Sequence, residues 1–593
     1  MYKEKASLCF MDEKLKEMLR NVQRPGRYTG GEINSVRKEL SEDMTSVVLA
    51  YPDIYEVGMS YLGLKILYHL LNDRDDIACE RVFAPWTDME EQLRENGRRL
   101  FSLESKTDMN KFDIVGFSLC YELTYTNVLN MLDLGGITVR AKDRGEDDPF
   151  VIAGGTCCYN PEPMSAFIDA FIMGDGEKAL PEFIDEYRKL RQKGLRRKEI
   201  LKSLSRLKGV YVPSLYDAEY SGGCFSGIKT LEDDVPEKIE KAQIEDLENA
   251  YYPVKQIVPF IKTVHDRIAV EIMRGCPNKC RFCQAGAVNQ PLRLRSTERI
   301  REICREAYKS TGYERVALLS LSSVNYPHLS RLVTELNQDF QDKGVGVSIP
   351  SLKVDEAFYD IPEMLATIRK AGLTFAPETA SEDIRRSIGK DIDEEVLRKS
   401  ALLAYQQGWK KLKLYFMVGF PGETEDQAQK ISGLAGELSR LRKKVSKGAA
   451  EVRVSVNPFI PKSHTPFQWL GMRGKAYLER VREALMSRSS RMVKVDFNDI
   501  DQSMLESCLA RGDRKIGDVL FAAWKKGAKM DGWKEFFYRS VWEEAFRDNG
   551  LNLEEIATKT YSINDPLPWG HIKAVLKEEQ LGKEFERSGL FVK

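Results

Sequence analysis

Arg274-Gly-Cys-Pro-Asn-Lys-Cys-Arg-Phe-Cys-Gln-Ala-Gly286 is the stretch on which the reading of this chain turns. Cys276, Cys280 and Cys283 fall at C-x3-C-x2-C spacing. Iron–sulfur clusters are held by thiolates at short spacings in a loop, and a four-iron cluster normally takes four of them. Three protein ligands leave one iron open to a small molecule. Structural zinc closes four ligands, commonly from paired C-x2-C elements, and no second cysteine or histidine pair of that kind follows. The loop comes directly after Arg267-Ile-Ala-Val-Glu-Ile-Met273, whose apolar run predicts a strand.

Downstream, further strands are expected at Arg315–Ser320, Gly346–Ile349, Thr374–Ala376, Lys411–Val418 and Glu451–Val456. Helices fall between them, as at Ser296–Ser310 and Asp393–Gln406. Repeated β-then-α units predict a parallel barrel, whole or partial, over residues 255–490, with its site at the strand C-termini. Upstream, over residues 45–240, Thr45–Tyr51, Ile77–Phe83, Asp113–Leu119, Val151–Gly155 and Ala170–Gly176 alternate with helical stretches such as Met59–Leu71. Runs that end in or lead into glycine punctuate a Rossmann-like, doubly wound parallel sheet, whose ligands bind beyond the strand carboxyl ends. Within this span, residues 209–240 begin an irregular, proline-containing connector that runs on to 260. Residues 1–44 read as an N-terminal helical extension and 491–593 as a small, mainly helical, aromatic-rich region. The fold class is α/β.

The chain has 593 residues with 42% hydrophobic and 30% charged positions, the balance of a globular protein. Lys+Arg and Asp+Glu are 90 each, which argues against coating nucleic acid by bulk charge. Two basic stretches, Lys189–Lys208 and Arg440–Lys447, together with the aromatic tail, would suit RNA; the plainer reading is a solvated helix face. No apolar run is long enough for a bilayer and no secretory signal opens the chain, so a cytoplasmic protein without membrane contact is expected. In that compartment cysteines serve metals, catalysis or packing.

C-x3-C-x-aromatic-C at the top of a first barrel strand resembles the radical S-adenosylmethionine (SAM) superfamily. The flanks YPDIYEVGMSYLGLKILYHLLN and VIAGGTCCYNPEPMSAFIDAFIMGDGEKALPEF are similar to the N-terminal domain of its branch with a cobalamin-binding-type domain. RGDRKIGDVLFAAWKKGAKMDGW is similar to the tail of a widespread bacterial subfamily. The resemblance implies that Cys276, Cys280 and Cys283 bind a [4Fe-4S] cluster whose open iron chelates SAM. It implies an electron from an external flavodoxin- or ferredoxin-type reductant and a 5′-deoxyadenosyl radical. Phe282 matches the aromatic that packs near adenine. The usual Gly-Gly-Glu after the second strand is replaced by Leu319-Ser-Leu-Ser-Ser323, which leaves Ser322 and Ser323 as candidate contacts to SAM. Glu378 is the candidate for the ribose or amino group, against a plain reading as a helix N-terminal residue. Arg385 is the candidate for the carboxylate. Gly419 and Gly422 of Met417-Val-Gly-Phe-Pro-Gly-Glu-Thr424 match the glycine-rich motif near adenine, against an ordinary turn capped by Thr424. Asn457 lies in the sixth-strand motif lining the same pocket.

The five histidines are His69, His265, His328, His464 and His571, and none sits in Asp-x-His-x-x-Gly. Cobalamin, if bound, would lack a histidine lower ligand. Its expected contact loops are Gly116–Glu122, Gly154–Cys158 and Gly174–Glu177, with Cys157 and Cys158 as buried thiols. The expected activity is reductive SAM cleavage followed by cobalamin-dependent methyl transfer to carbon of an unknown substrate. The alternatives are a methylthiotransferase-like RNA-modifying enzyme and a cluster-binding assembly protein without turnover.

Overall fold

The computed structural model describes residues 11–39, 41, 43–349, 373–390 and 392–590. The first sheet holds β1 (Thr45–Tyr51), β2 (Ile77–Phe83), β3 (Ile114–Ser118), β4 (Phe150–Gly154) and β5 (Ala170–Ile172), all parallel. β6 (Val210–Tyr211) closes one edge antiparallel to β5. The order is β2-β1-β3-β4-β5-β6, so the winding reverses between β1 and β3, where doubly wound sheets open a ligand crevice. β1 and β2 are buried throughout, as expected of parallel strands covered on both faces. Arg81 in β2 is one of the buried polar residues of these strands, held by Glu104 at 2.6 Å and by Glu32 at 2.8 Å. Glu32 thereby ties the N-terminal extension to the sheet. That extension is helical only at Glu13–Arg20 and Pro25–Arg27 among the described residues.

Residues 209–260 are not the irregular connector expected. They supply β6, the hairpin of β7 (Tyr216–Ser221) and β8 (Cys224–Thr230), and β9 (Ile239–Glu240). Two-residue strands carry no periodicity, and the half-exposed hairpin has no buried face to mark it.

The second series opens with β10 (Ile268–Glu271) and β11 (Met273–Arg274), the latter antiparallel to β12 (Arg293–Leu294). β13 (Arg315–Leu319), β14 (Gly346–Ser348), β15 (Leu373–Glu378), β16 (Lys411–Val418), β17 (Glu451–Pro458) and β18 (Val493–Phe497) follow. β10-β13-β14 form one parallel sheet and β15-β16-β17-β18 another, the two arcs of a partial barrel. β18 pairs with β17 in parallel, so the barrel sheet runs past residue 490 into the span read as helical tail. The short Val-Lys-Val-Asp-Phe alternation was hidden beside the polar run before it. In β16 and β17 alternate residues are buried, and the helix Glu425–Leu441 packs on these strands. Lys413, Tyr415, Met417, Ser455 and Asn457 fall on the opposite, wetter face. β19 (Ile572–Lys573) returns from the C-terminal region to pair with β9.

The basic stretch Lys189–Lys208 divides between helices Gly176–Gln192 and Arg197–Leu204, and several of its cations are matched. Arg197 reaches Asp169 at 2.6 Å, Lys202 reaches Asp234 at 3.2 Å, and Arg206 pairs with Asp234. The Asp234 partner lies well downstream of the helix, which is why the stretch read alone overstates its free charge. Arg511–Arg514 form a joint rather than a free tail. Asn160 Nδ2 donates to the Ala510 and Gly512 carbonyls at 3.0 Å, and Arg514 donates to buried Glu162 at 2.6 Å. Among the described residues no helix is long and apolar enough to cross a membrane.

Candidate functional site

The cysteine loop is fixed by its backbone rather than by its thiols. Gly275 sits at φ +89°, and a Cβ there would lie 2.8 Å from the Pro291 carbonyl oxygen, so only glycine starts the turn. Gln290 Nε2 donates to the carbonyls of Cys276 (2.6 Å) and Gly286 (3.1 Å). Arg281 N–H donates to the Ile388 carbonyl at 2.9 Å, and its side chain donates to Ser387 and Glu584. Cys283 then caps the helix Gln284–Val288, its sulfur accepting from Gly286 N–H at 3.3 Å. The Cys276 sulfur accepts from Asn278 Nδ2 at 3.4 Å. Donors aimed at thiolate sulfurs are the groups that tune a cluster. Burial pushes the Cys283 thiol up, a cost that binding to iron removes because the thiolate is then coordinated.

No three His, Cys, Asp or Glu side chains among the described residues converge to hold one metal ion. A cubane asks for something else, because each thiolate binds a different iron. Three cysteines spread along a rigid loop with donors to two sulfurs fit that demand.

Ser322 and Ser323 are buried at the end of β13 and engaged with the protein. Ser322 Oγ donates to Asn325 Oδ1 at 2.7 Å, and Ser323 shares a bond with Ser320 at 2.8 Å. Asn325 Oδ1 also accepts from Asn278 at 3.2 Å. A relay Ser322–Asn325–Asn278–Cys276 thus joins the second strand to the first thiol. Neither asparagine stood out in the sequence, since Asn in a loop carries no spacing signal.

Glu378 ends β15 at φ +67°, in the left-handed region, beyond a register shift. It is not a helix N-terminal residue: the following helix, Glu382–Ser387, starts after Ser381. Strain at a strand end is a mark of functional positions. Burial pushes its carboxyl up while Lys390, 2.5 Å away, opposes this. Arg385 does not face an open site. It is buried and donates to the Thr379 carbonyl (3.0 Å) and Glu394 (2.9 Å), bracing the turn after β15. The cation beside Glu378 is therefore Lys390, whose charge also acts on Cys283.

Phe282 and Met417 pack against a separate apolar cluster that includes Ile384, Ile388, Phe420 and Phe459. The expected adenine-side aromatic and the fifth- and sixth-strand motifs thus meet. Asn457, the register partner of Met417, is half-buried on the same strand face as Ser455, with no side-chain hydrogen bond among the described residues. Gly419 and Gly422 both have positive φ, but the Gly419 N–H is already given to Glu423 at 2.5 Å. Thr424 caps the next helix through a capping box with Gln427.

Glu423 also accepts from Tyr477 at 3.1 Å, while its Oε1 is buried without a partner. Burial raises its carboxyl from 4.5 to about 7. The charged form is the disfavoured one, so its cost is absent below pH 4.5, grows between 4.5 and about 7, and is complete above. Glu423→Gln keeps an acceptor for Gly419 without the charge. Its stability relative to wild type is expected to rise by about 3 kcal/mol between pH 4.5 and pH 8 in urea denaturation. A pH-independent difference would remove Glu423 as a buried acid.

A cavity of about 310 Å3 opens at the carboxyl end of the first sheet. Gly116, Gly154, Gly155, Gly174 and Gly176 line it, so all three expected contact loops contribute. Cys120, Cys157 and Cys158 are not in its wall; burial pushes all three thiols up. Glu122 points instead to Lys462 at 2.7 Å. The far wall comes from the barrel, through Glu271, Arg274, Val288 and Asn289. A passage of about 280 Å3 along Leu62, Glu271, Arg274, Gly275 and Ser320 carries on beside the cysteine loop. Asp175 is a clamp: it receives Arg274 at 2.9 Å and Arg293 at 2.6 Å, and Arg274 also binds Glu177 at 2.6 Å.

Residues 63–213 match the family described as radical SAM proteins, N-terminal, and residues 270–435 match the radical SAM superfamily. Uncharacterized protein MJ0966 of Methanocaldococcus jannaschii is 29% identical over 482 residues, 80% of this chain and 90% of that protein. Ribosomal protein uS12 methylthiotransferase RimO of Desulfotalea psychrophila is 28% identical over 212 residues, 33% of this chain and 44% of its own. The radical SAM methyltransferase TsrM of Kitasatospora setae, solved with tryptophan and a SAM analogue, superposes with a TM-score of 0.50 at 11% identity, over 85% of this chain and 99% of its own. With the triad loop on a first barrel strand inside one matched region and a second matched region ahead of it, the chain belongs to the radical SAM superfamily, its partial barrel preceded by a doubly wound parallel domain.

Proposed function

We propose that this radical SAM enzyme methylates a carbon atom of its substrate, with SAM on a [4Fe-4S] cluster at Cys276, Cys280 and Cys283 and cobalamin in the N-terminal cavity. One observation carries the reading: the cavity at the sheet edge is walled on its other side by residues flanking the cysteine loop. A corrinoid there would supply a methyl carrier beside the radical source. TsrM, which shares this fold, is a methyltransferase, and methyl transfer is the reaction we take for this chain.

The wall supports a flat macrocycle. Glycines present backbone instead of side chains, Ser118 and Thr156 offer hydroxyls, and no histidine lines the cavity, so the lower face would carry no imidazole. Lys390 and Glu378 are suited to the carboxylate and amino group of SAM, and Phe282 to its adenine. The reductant is an external flavodoxin- or ferredoxin-type protein. A methylthiotransferase reading would ask the N-terminal thiols for a second cluster, but half-buried Cys120 and buried Cys157 and Cys158 lie outside the cavity wall.

Anaerobic reconstitution with hydroxocobalamin is expected to give a corrinoid absorbance that stays with the protein on desalting. Gly116 has an ordinary φ, and the nearest atoms to a Cβ there belong to Leu49 and Ile152, at 3.4 Å or more. Gly116→Val therefore leaves the fold and 5′-deoxyadenosine release intact while reducing retained corrinoid by about tenfold or more, because overfilling a site costs 1–3 kcal/mol. Wild type without any corrinoid band removes the methyl-carrier reading and leaves the radical SAM one.

A further inference from the structure

A third cavity, of about 240 Å3, adjoins the passage beside the cysteine loop and shares Leu62 and Leu319 with it. Lys65 from the helix Leu62–Asn72, and His265 and Arg267 leading into β10, line it with Ser60 and Ala269. Three cationic or basic side chains thus meet where two domains face each other.

Their lack of partners sets them apart. Buried Arg81 has Glu32 and Glu104, Arg144 has Asp169, and Arg274 has Asp175 and Glu177. Lys65, only 5% exposed, has no hydrogen bond or ion pair among the described residues. Arg267 Nε is buried with no partner, and its guanidinium has no ion pair among the described residues. Asp266 is the acid whose charge acts on Lys65, but its Oδ1 is taken by the Thr263 N–H (3.0 Å) and hydroxyl (2.6 Å). Burial holds the Lys65 ammonium down to about 8, and Arg315 adds repulsion at Arg267 after burial itself. An ammonium withdrawn from water with none of its three donors used costs several kcal/mol unless a ligand offsets it.

We propose that this cavity binds a phosphate group of a ligand seated in the adjoining passage, with Lys65 and Arg267 donating to its oxygens and His265 at the mouth. Two fixed cations and an imidazole match the charge and tetrahedral oxygens of phosphate better than those of a single carboxylate. The volume admits a phosphate and a few attached atoms, not a polymer. The proposal rests on this chain's own residues and stands apart from the corrinoid reading.

Isothermal titration of the full-length protein with inorganic phosphate at pH 7 is expected to report one site. Arg267→Gln and Lys65→Met each weaken it by about tenfold or more, the worth of one charge-assisted hydrogen bond. Lys193→Gln, on the exposed basic stretch, leaves it unchanged. No binding by wild type, or equal binding by both variants, overturns the proposal. Arg267 is only partly buried, so its replacement tests the site even where Lys65→Met alters stability. Repeating the titration after loading with cobalamin, or with cobinamide, which lacks the nucleotide phosphate, identifies the source. Binding retained with cobalamin assigns the site to a phosphorylated substrate. Binding lost with cobalamin and retained with cobinamide assigns it to the cofactor's own phosphodiester. Protein that takes up neither corrinoid still reports on the site through the first titration, so the two readings fail separately.

Discussion

Alanine at Cys276, Cys280 or Cys283 is expected to give a folded protein that assembles no intact cluster and releases no 5′-deoxyadenosine from SAM. Folding survives because the loop hangs on Gln290, Arg281 and the Gly275 turn, whose bonds do not involve sulfur. Cys280 and Cys283 are only half-buried, so little packing goes with them. Cluster assembly does not survive, because a cubane with one iron already left open to SAM has no spare protein ligand. Wild type should hold about four irons and four sulfides per chain after anaerobic reconstitution, and each variant far fewer. Cys304→Ala, in the core away from the loop, should lose stability but keep its iron. A triad variant with full iron, or wild type loaded with zinc, would end the cluster assignment.

Asp175→Asn is expected to cost about 3–5 kcal/mol, the usual penalty for removing one partner of a buried charge pair. Asp175 takes Arg274 on one oxygen, and Arg293 and the Ile244 N–H (2.9 Å) on the other. Burial works against its charge, yet Arg274, the Ile244 N–H and Arg293 hold its carboxyl below the usual range. A depressed carboxylate contributes stability above its unfolded value, near 3.8, and loses it as pH falls through the folded value. Wild type should therefore weaken below about pH 4 where the variant does not. The clamp joins the first sheet to the barrel, so calorimetry of the variant should show the single transition divide or drop markedly. An unshifted single transition at pH 7 would show that the clamp contributes nothing.

The parts of this molecule that read plainly were long or periodic. β1, β2 and β16 stand where the apolar runs put them, and the cysteine loop follows its strand. What the sequence hid was pairing between distant segments. Arg385 looked like a ligand because its neighbours Thr379 and Glu394, which consume it, cannot be seen along the chain. Lys390, twelve residues beyond Glu378, is a lone lysine until the turn folds back. Gly419 matched a motif near adenine, but its N–H is already taken by Glu423, four residues on. Short β6, β9 and β19 exist only because other strands offer them an edge.

The joint between Asn160, Glu162 and the 510–514 segment has a consequence for synthesis. More than three hundred residues separate the two sides. Until Arg514 leaves the ribosome, the loop after β4 has an amide facing no counterpart and a buried carboxylate that the first domain meets only with the Tyr211 hydroxyl, at 2.7 Å. The first domain to be translated is thus among the last to finish, and nascent chains halted before residue 514 should be protease-sensitive in a part already complete in sequence.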